Sequence, residues 1–298
     1  MLSEIIHHCY TGFGDCVTGF VSSYILRNKL EKITGNKIKL SINWRFVNCP
    51  NIDPQYINRN FINRRERSMA DCRYSGEDGT LAFSRYYNSP QMDYDIDNRK
   101  YLIFITNQYL GKVFVDMTRD EVKEITLEAY NFFWNIMLIN INISPEIKSY
   151  DFNNVIISSI RLGDKYLLGK EKLPSDALTN YKLINKINYP NVVLLGDVDN
   201  NILKEQFQNI SEKNIISFNG NISHSSCSQM DSTTWEKIFN DLYIMLKSKA
   251  IIMMNNDSNF IRIVLFMKNN DHEIYVVNDN NLERVNDSST LFAKHYVF

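Results

Sequence analysis

The chain of 298 residues suits two ordinary domains or one large one, with length enough for a sizeable core. A hydrophobic share of 44%, a charged share of 22% and a formal net charge of -1 describe a globular chain without the basic excess of a nucleic-acid binder, so charge names no partner. The five cysteines, Cys9, Cys16, Cys49, Cys72 and Cys227, are odd in number and lack Cys-x-x-Cys spacing, which argues against a disulfide framework and a zinc site and favours a reducing compartment. No segment reaches the roughly 18 to 20 apolar residues that cross a bilayer, and the first residues, MLSEIIHHCYTGFGD, have neither the basic start nor the apolar run of a secretory signal. A cytoplasmic protein with no membrane insertion is expected.

The first element is a glycine-rich turn, Tyr10-Thr11-Gly12-Phe13-Gly14-Asp15. It feeds an amphipathic helix in which Val17, Phe20, Val21, Tyr24, Ile25 and Leu30 recur at helical spacing and Asp15 is placed to cap. Gly12 and Gly14 either admit a ligand to the backbone at the helix start or simply make the turn. Residues 37–46 alternate as a strand, and Pro50 and Pro54 end the pattern. Arg59, Arg64, Arg65, Arg67 and Arg73 then crowd a polar stretch, as a solvated face or as a cleft wall that meets anionic groups. Residues 76–79 and 86–98 read as loops, and 101–106 as a short buried strand. Thr118 and Glu121, three apart, form a capping box that opens a long helix through Tyr130, Phe133, Trp134 and Met137, an aromatic stripe of the core kind. The polar stretch 144–150, with Pro145, marks the boundary between domains 1–150 and 151–298.

Beyond it strands and helices alternate. Residues 155–160 form a strand, 175–187 a helix, 192–195 a strand, 202–207 a helix and 215–218 a strand. A second capping box, Thr233 with Glu236, starts a helix carrying Trp235, Ile238, Phe239, Leu242 and Met245; residues 250–254 form a strand and 261–267 a helix. Such alternation implies a mainly parallel sheet covered on both faces, an α/β doubly wound domain.

In a domain of this kind the polar residues just after each strand converge on one crevice. Here they are Arg161 and Asp164, then Asp197, then His224, then Ser258 and Asn259. Arg161 is either an anion reader with Asp164 beside it or one half of a surface pair. As a reader it neutralises a phosphate, and the amides and hydroxyl at Ser258, at a helix start, hold the same group. Asp197 suits a base edge or a ribose hydroxyl. Asp197-Val198-Asp199 has a cation-holding spacing that arises readily by chance, and no metal is assigned. His224 contacts a ligand or only its own loop. The absence of a Gly-x-x-x-x-Gly-Lys-Ser/Thr loop argues against ATP or GTP hydrolysis.

Three blocks of these residues together resemble the fucosyltransferase-like branch of inverting glycosyltransferases, which includes α1,6-fucosyltransferases and protein O-fucosyltransferases. Gly12-Phe13-Gly14-Asp15 resembles the branch's Gly-x-Gly-Asp/Asn turn, and Ile160-Arg161-Leu162-Gly163-Asp164 its strand-end His-x-Arg-x-Gly-Asp motif. The run from Phe218 through His224, Trp235, Asp241 and Leu242 to Ser258-Asn259-Phe260 resembles a histidine loop, a leucine-faced helix and a Ser-x-Phe-Ser turn in that order. Gly196-Asp197 falls where the branch has Ser/Thr-Asp. The resemblance implies a GT-B architecture, two Rossmann-like domains with a cleft between them, the first on the acceptor side and the second binding a nucleotide sugar. It further implies a GDP-sugar donor, GDP-fucose foremost, a glycan or protein hydroxyl as acceptor, and no metal cofactor. Arg161 would bind the β-phosphate and offset the charge on departing GDP, Ser258, Asn259 and Phe260 would hold the diphosphate, and Asp197 would read guanine or ribose. Two positions depart from the pattern: Ser159 stands where the histidine is expected and Ile261 where the second serine is. Asp15 is the candidate general base, or only a helix cap. The missing anchor, set against the Golgi members, fits a cytosolic bacterial or viral setting.

Overall fold

The computed structural model describes residues 2–9, 12–44, 49–58, 81–85, 100–105, 117–160, 182–196, 204–205, 207–208, 211–218, 232–253, 261, 263–264, 272–278 and 281–285. The chain separates into two compact units, Met1–Ile139 with Ala293–Phe298 and Asn140–Phe292. The stretch 144–150, expected as the boundary between domains, contains a short helix, Pro145–Ser149, whose cap Ser144 accepts from the Ile147 amide.

In the first unit, strand β1 (Glu4–Cys9) leads into helix α1 (Phe13–Thr34), then β2 (Lys39–Trp44), β3 (Leu81–Arg85), β4 (Tyr101–Ile105) and helix α2 (Arg119–Phe132). The sheet order is β2-β1-β4-β3 and every pairing is parallel. β1 therefore lies inside the sheet, flanked by β2 and β4. β2 and β4 fall within the expected strands; β1 and β3 were not anticipated.

Helix α1 is not the amphipathic element its spacing suggests, because every residue from Cys16 to Leu26 is buried. Small polar residues share the helix surface with the large apolar ones and satisfy themselves locally. Thr18 Oγ1 donates to the Gly14 carbonyl (2.8 Å) and Ser23 Oγ to that of Gly19 (3.2 Å), so their hydroxyls enter the interior already bonded. α1 ends at Gly35, whose φ of 70° is the left-handed conformation that favours glycine. The capping box of α2 forms as expected: the Thr118 side chain accepts from the Glu121 amide, and the Glu121 carboxylate accepts from the Thr118 amide (2.7 Å). α2 runs on into a wide π turn, Phe133–Met137, and Phe133 packs on Phe13, Phe20 and Trp44 at centroid distances of 6.0, 5.6 and 5.6 Å. Of the expected core stripe, Tyr130, Phe133 and Met137 are buried, whereas Trp134 is only partly so.

The second unit contains the short helix Pro145–Ser149 (α3), then β5 (Val155–Ile160), β6 (Asn191–Gly196), β7 (Asn214–Ile216), α4 (Ser232–Lys247), β8 (Ala250–Met253), β9 (Glu273–Asn278) and β10 (Asn281–Val285). Its sheet order is β10-β9-β8-β5-β6-β7. All pairings are parallel except the edge pair β9–β10, a hairpin not foreseen from the sequence. The order runs outward from β5 through β6 and β7 on one side and through β8, β9 and β10 on the other. That is the doubly wound arrangement, with its reversal between β5 and β8. Ile156, Val192, Leu194 and Ile252 share one core with Phe207, while their strand neighbours Ile157, Val193 and Ile251 are equally buried, so both faces are covered.

Local expectations in this unit need three adjustments. Within 175–187, the described residues Lys182–Lys186 form a tight 3₁₀ helix. The strand expected at 215–218 is Asn214–Ile216. Thr233 does not cap its helix, since Ser232 is already helical and the start lies farther toward the amino terminus. Trp235, Phe239, Leu242 and Met245 form the buried stripe of α4, at helical spacing.

Candidate functional site

The carboxyl ends of three central strands of the second sheet are nearly level. Ile160 of β5 pairs with Gly196 of β6, and Ser159 pairs with both Leu195 and Met253 of β8. The chain leaves these strands directly before Arg161, Asp197 and Met254, on either side of the reversal between β5 and β8. Open parallel sheets take their ligands at that place. Arg161, Asp164, Asp197, His224, Ser258, Asn259 and Phe260 themselves lie outside the described residues, as do the five arginines from Arg59 to Arg73.

What the described residues show is how the floor of this edge is held. Lys237 Nζ of α4 pairs with Asp241 Oδ2 at 2.6 Å, one turn along the helix, and reaches the Gly196 carbonyl at 3.4 Å. Their side chains are 8% and 14% exposed. Burial pushes the Asp241 carboxyl above its ordinary range, and the charge of Lys237 and its hydrogen bond pull it back. A buried ammonium thus anchors the last residue of β6, the one before Asp197. Asp241 belongs to the block that carries the resemblance; nothing in the sequence paired it with Lys237 beyond the i,i+4 spacing. Ser159 is buried on β5.

The first unit places Gly12 at the N-cap of α1, with Gly14 and Asp15 in the first turn. Asp15 is therefore not the cap. Gly12 fills that position without a side-chain bond, and the Asp15 carboxylate sits where the helix dipole favours negative charge. Beside this helix start is the carboxyl end of β1, whose chemistry the sequence reading missed. His7 and His8 are adjacent, so they face opposite sides of the sheet, and both are buried. On the α1 side the Trp44 indole donates to His7 Nδ1 at 3.0 Å, and the His7 ring lies edge-on to Phe20 and Trp44. On the other side His8 Nδ1 is 2.6 Å from the Asn43 backbone carbonyl. That face mixes polar groups with isoleucines: Glu4 accepts from Ser41 Oγ and from Asn58 Nδ2 (3.1 Å), and Ser41 and Asn43 are buried beside Ile6 and His8. Two adjacent histidines in a short β-branched run were the available signal.

Among the described residues no group of three His, Cys, Asp or Glu side chains is arranged to hold a metal ion, and no helix is long and apolar enough to cross a membrane.

No protein-family model matches the chain, and no curated protein is similar to it in sequence. Solved structures are similar in fold. NodZ α-1,6-fucosyltransferase from Bradyrhizobium, in crystals soaked with GDP-fucose, shares 15% identity at a TM-score of 0.52, over 96% of this chain and 99% of that one. Its structure co-crystallised with GDP gives a TM-score of 0.51 at the same identity. A variant of the Arabidopsis thaliana fucosyltransferase FUT1 in complex with GDP gives a TM-score of 0.57 at 9% identity, over 95% of this chain and 74% of that one. The chain thus has the α/β fold of the fucosyltransferase-like GT-B glycosyltransferases.

Proposed function

We propose that the protein is an inverting glycosyltransferase that takes a GDP-sugar, GDP-fucose foremost, and transfers the sugar to a hydroxyl of a glycan or a protein. The observation that carries this reading is the reversal between β5 and β8, because the chain resumes there with Arg161 on one side and the Ser258-Asn259-Phe260 segment on the other. The likeness to structures of fucosyltransferases crystallised with GDP or GDP-fucose supports the choice of donor. In this proposal Arg161 binds the β-phosphate and stabilises the charge that develops on GDP as it leaves, an electrostatic role that needs no covalent intermediate. Ser258 holds the same diphosphate and Asp197 reads the guanine or ribose. No metal is assigned to the reaction. The proposed setting is the cytoplasm, in keeping with the buried thiols of Cys9, Cys16 and Cys49, which form no disulfide.

Arg161→Ala tests the assignment: transfer is lost and GDP affinity falls while the melting curve stays that of the wild type. Unchanged turnover refutes it. Ser159, standing where the resembled motif has histidine, favours a second reading, a nucleotide-sugar-binding protein without turnover. Calorimetric binding of GDP-fucose with no release of GDP over any acceptor selects that reading.

A further inference from the structure

We infer that Lys237, with Asp241 to hold it, is a positioning residue for nucleobase recognition: donating to the Gly196 carbonyl, it fixes the point at which the chain leaves β6 for Asp197. The inference rests on the glycosyltransferase reading above and draws on the second unit alone. β6 outruns its outer neighbour, because its last residue paired with β7 is Val193. Among the described residues, Leu194, Leu195 and Gly196 continue with β5 as their strand partner. Lys237 reaches this overhang from α4, its Nζ 3.4 Å from the Gly196 carbonyl and 2.6 Å from Asp241 Oδ2. α4 carries the chain from β7 on one side of β5 to β8 on the other, so the helix crosses the reversal at which this class of sheet takes ligands.

Stability alone does not account for this pair. An apolar pair of similar volume would be at least as stable in so buried a place, since it carries no desolvation cost. What it could not do is donate to a carbonyl. An ammonium has three donors, so it serves the Asp241 carboxylate and the Gly196 carbonyl together, and its charge strengthens both bonds. A strand end paired with β5 and also held by a charged donor has little freedom, and the residue that follows inherits that placement. Reading a base edge needs such placement, because hydrogen bonds weaken steeply as their geometry departs from the optimum. Arg161 follows β5 and not β6, so the tether bears on the nucleobase end of the donor and leaves the diphosphate end alone.

The test is calorimetric binding of GDP and of UDP by the wild type, by the double variant Lys237→Met with Asp241→Leu, and by Phe239→Leu. The double variant replaces the ion pair with an apolar one, so it keeps the fold and loses only the tether. It is expected to bind GDP about tenfold more weakly and UDP as the wild type does, so that the preference for guanine falls. Phe239→Leu trims a buried ring on the same helix, and it is expected to lower the melting temperature and keep the preference. A folded double variant with the wild-type preference, a loss shared equally by GDP and UDP, or a Phe239→Leu protein that loses the preference as well overturns the inference and leaves the function standing. A wild type that binds neither nucleotide, or both alike, overturns both. Should the double variant fail to fold, nitrogen NMR of the wild-type lysine ammonium groups decides. A Lys237 signal that moves as GDP is added and not as UDP is added supports the inference, and one that GDP leaves in place overturns it.

Discussion

In the sheet β10-β9-β8-β5-β6-β7 the central strands are apolar on both faces, apart from Ser158 and Ser159, and polar chemistry begins only where the strands stop. In the sheet β2-β1-β4-β3 the polar chemistry is built into the strands, with Glu4, His7, His8, Ser41 and Asn43 all buried. The six-stranded sheet is a uniform scaffold that presents loops; the four-stranded sheet spends buried hydrogen bonds on fixing individual side chains. The proposed diphosphate recognition falls at strand ends of the second unit, whereas the first unit keeps its polar groups within the strands.

The largest effect expected is from Arg161→Ala, which removes the charge proposed to stabilise departing GDP. Loss of one such preorganised donor costs on the order of 10²- to 10³-fold in turnover, read as GDP release at saturating donor. If the variant loses no more than a surface pair would, the assignment of chemistry to the strand ends breaks. Next is Lys237→Met, which leaves Asp241 buried without its counter-charge and should cost about 3 to 5 kcal/mol, measured by denaturant unfolding. Lys237→Met with Asp241→Leu should recover most of that loss, because an apolar pair of similar volume needs no compensation. The single variant has a signed pH dependence. Burial already raises the folded carboxyl above its ordinary 3.8, so the unfolded chain releases the proton first. Stability then falls as pH rises from that value, and more steeply without Lys237.

Smaller effects sharpen the comparison within the first unit. Thr126 is buried on α2 and its hydroxyl has no hydrogen-bond partner among the described residues, so Thr126→Val should stabilise by about 1 kcal/mol in the same measurement. A loss instead would mean that burial of polar groups there is compensated more fully than the geometry shows. Thr118→Ala removes the α2 cap and should cost about 1 kcal/mol. The Thr118 amide holds the Glu121 carboxyl below its ordinary 4.5 in the folded chain. That contribution is present above 4.5 and lost as pH falls through the lowered folded value, so the acid side of the stability curve records it.

How much of this could be read from sequence follows from the same contrast. Runs such as Val155-Ile156-Ile157 and Val192-Val193-Leu194-Leu195 announce parallel strands because both faces need apolar residues, and β5 begins and ends where the pattern does. Glu4-Ile5-Ile6-His7-His8-Cys9 announces nothing of the kind, since half its residues are polar and their burial depends on partners up to 54 residues away, such as Asn58 with Glu4. Helix α1 misled for a related reason: serines and threonines bonded to their own helix can be buried, so its polar side is not an exposed side. The strand ends beside the candidate donor residues were legible because the rule that finds them needs only apolar runs, while those residues themselves lie outside the described ones. The histidine pair was not, because its two tautomers are set by Asn43 and Trp44, which only the register of β2 against β1 brings alongside.

The most direct test of the central claim is calorimetric titration of the wild type and Arg161→Ala with GDP-fucose, UDP-galactose and CMP-sialic acid. The account predicts that GDP-fucose binds the wild type at least about tenfold more tightly than the other two and that the preference disappears in Arg161→Ala, a tenfold change being about 1.4 kcal/mol. Equal binding of all three donors, or GDP-fucose binding that survives the loss of Arg161 undiminished, would contradict it.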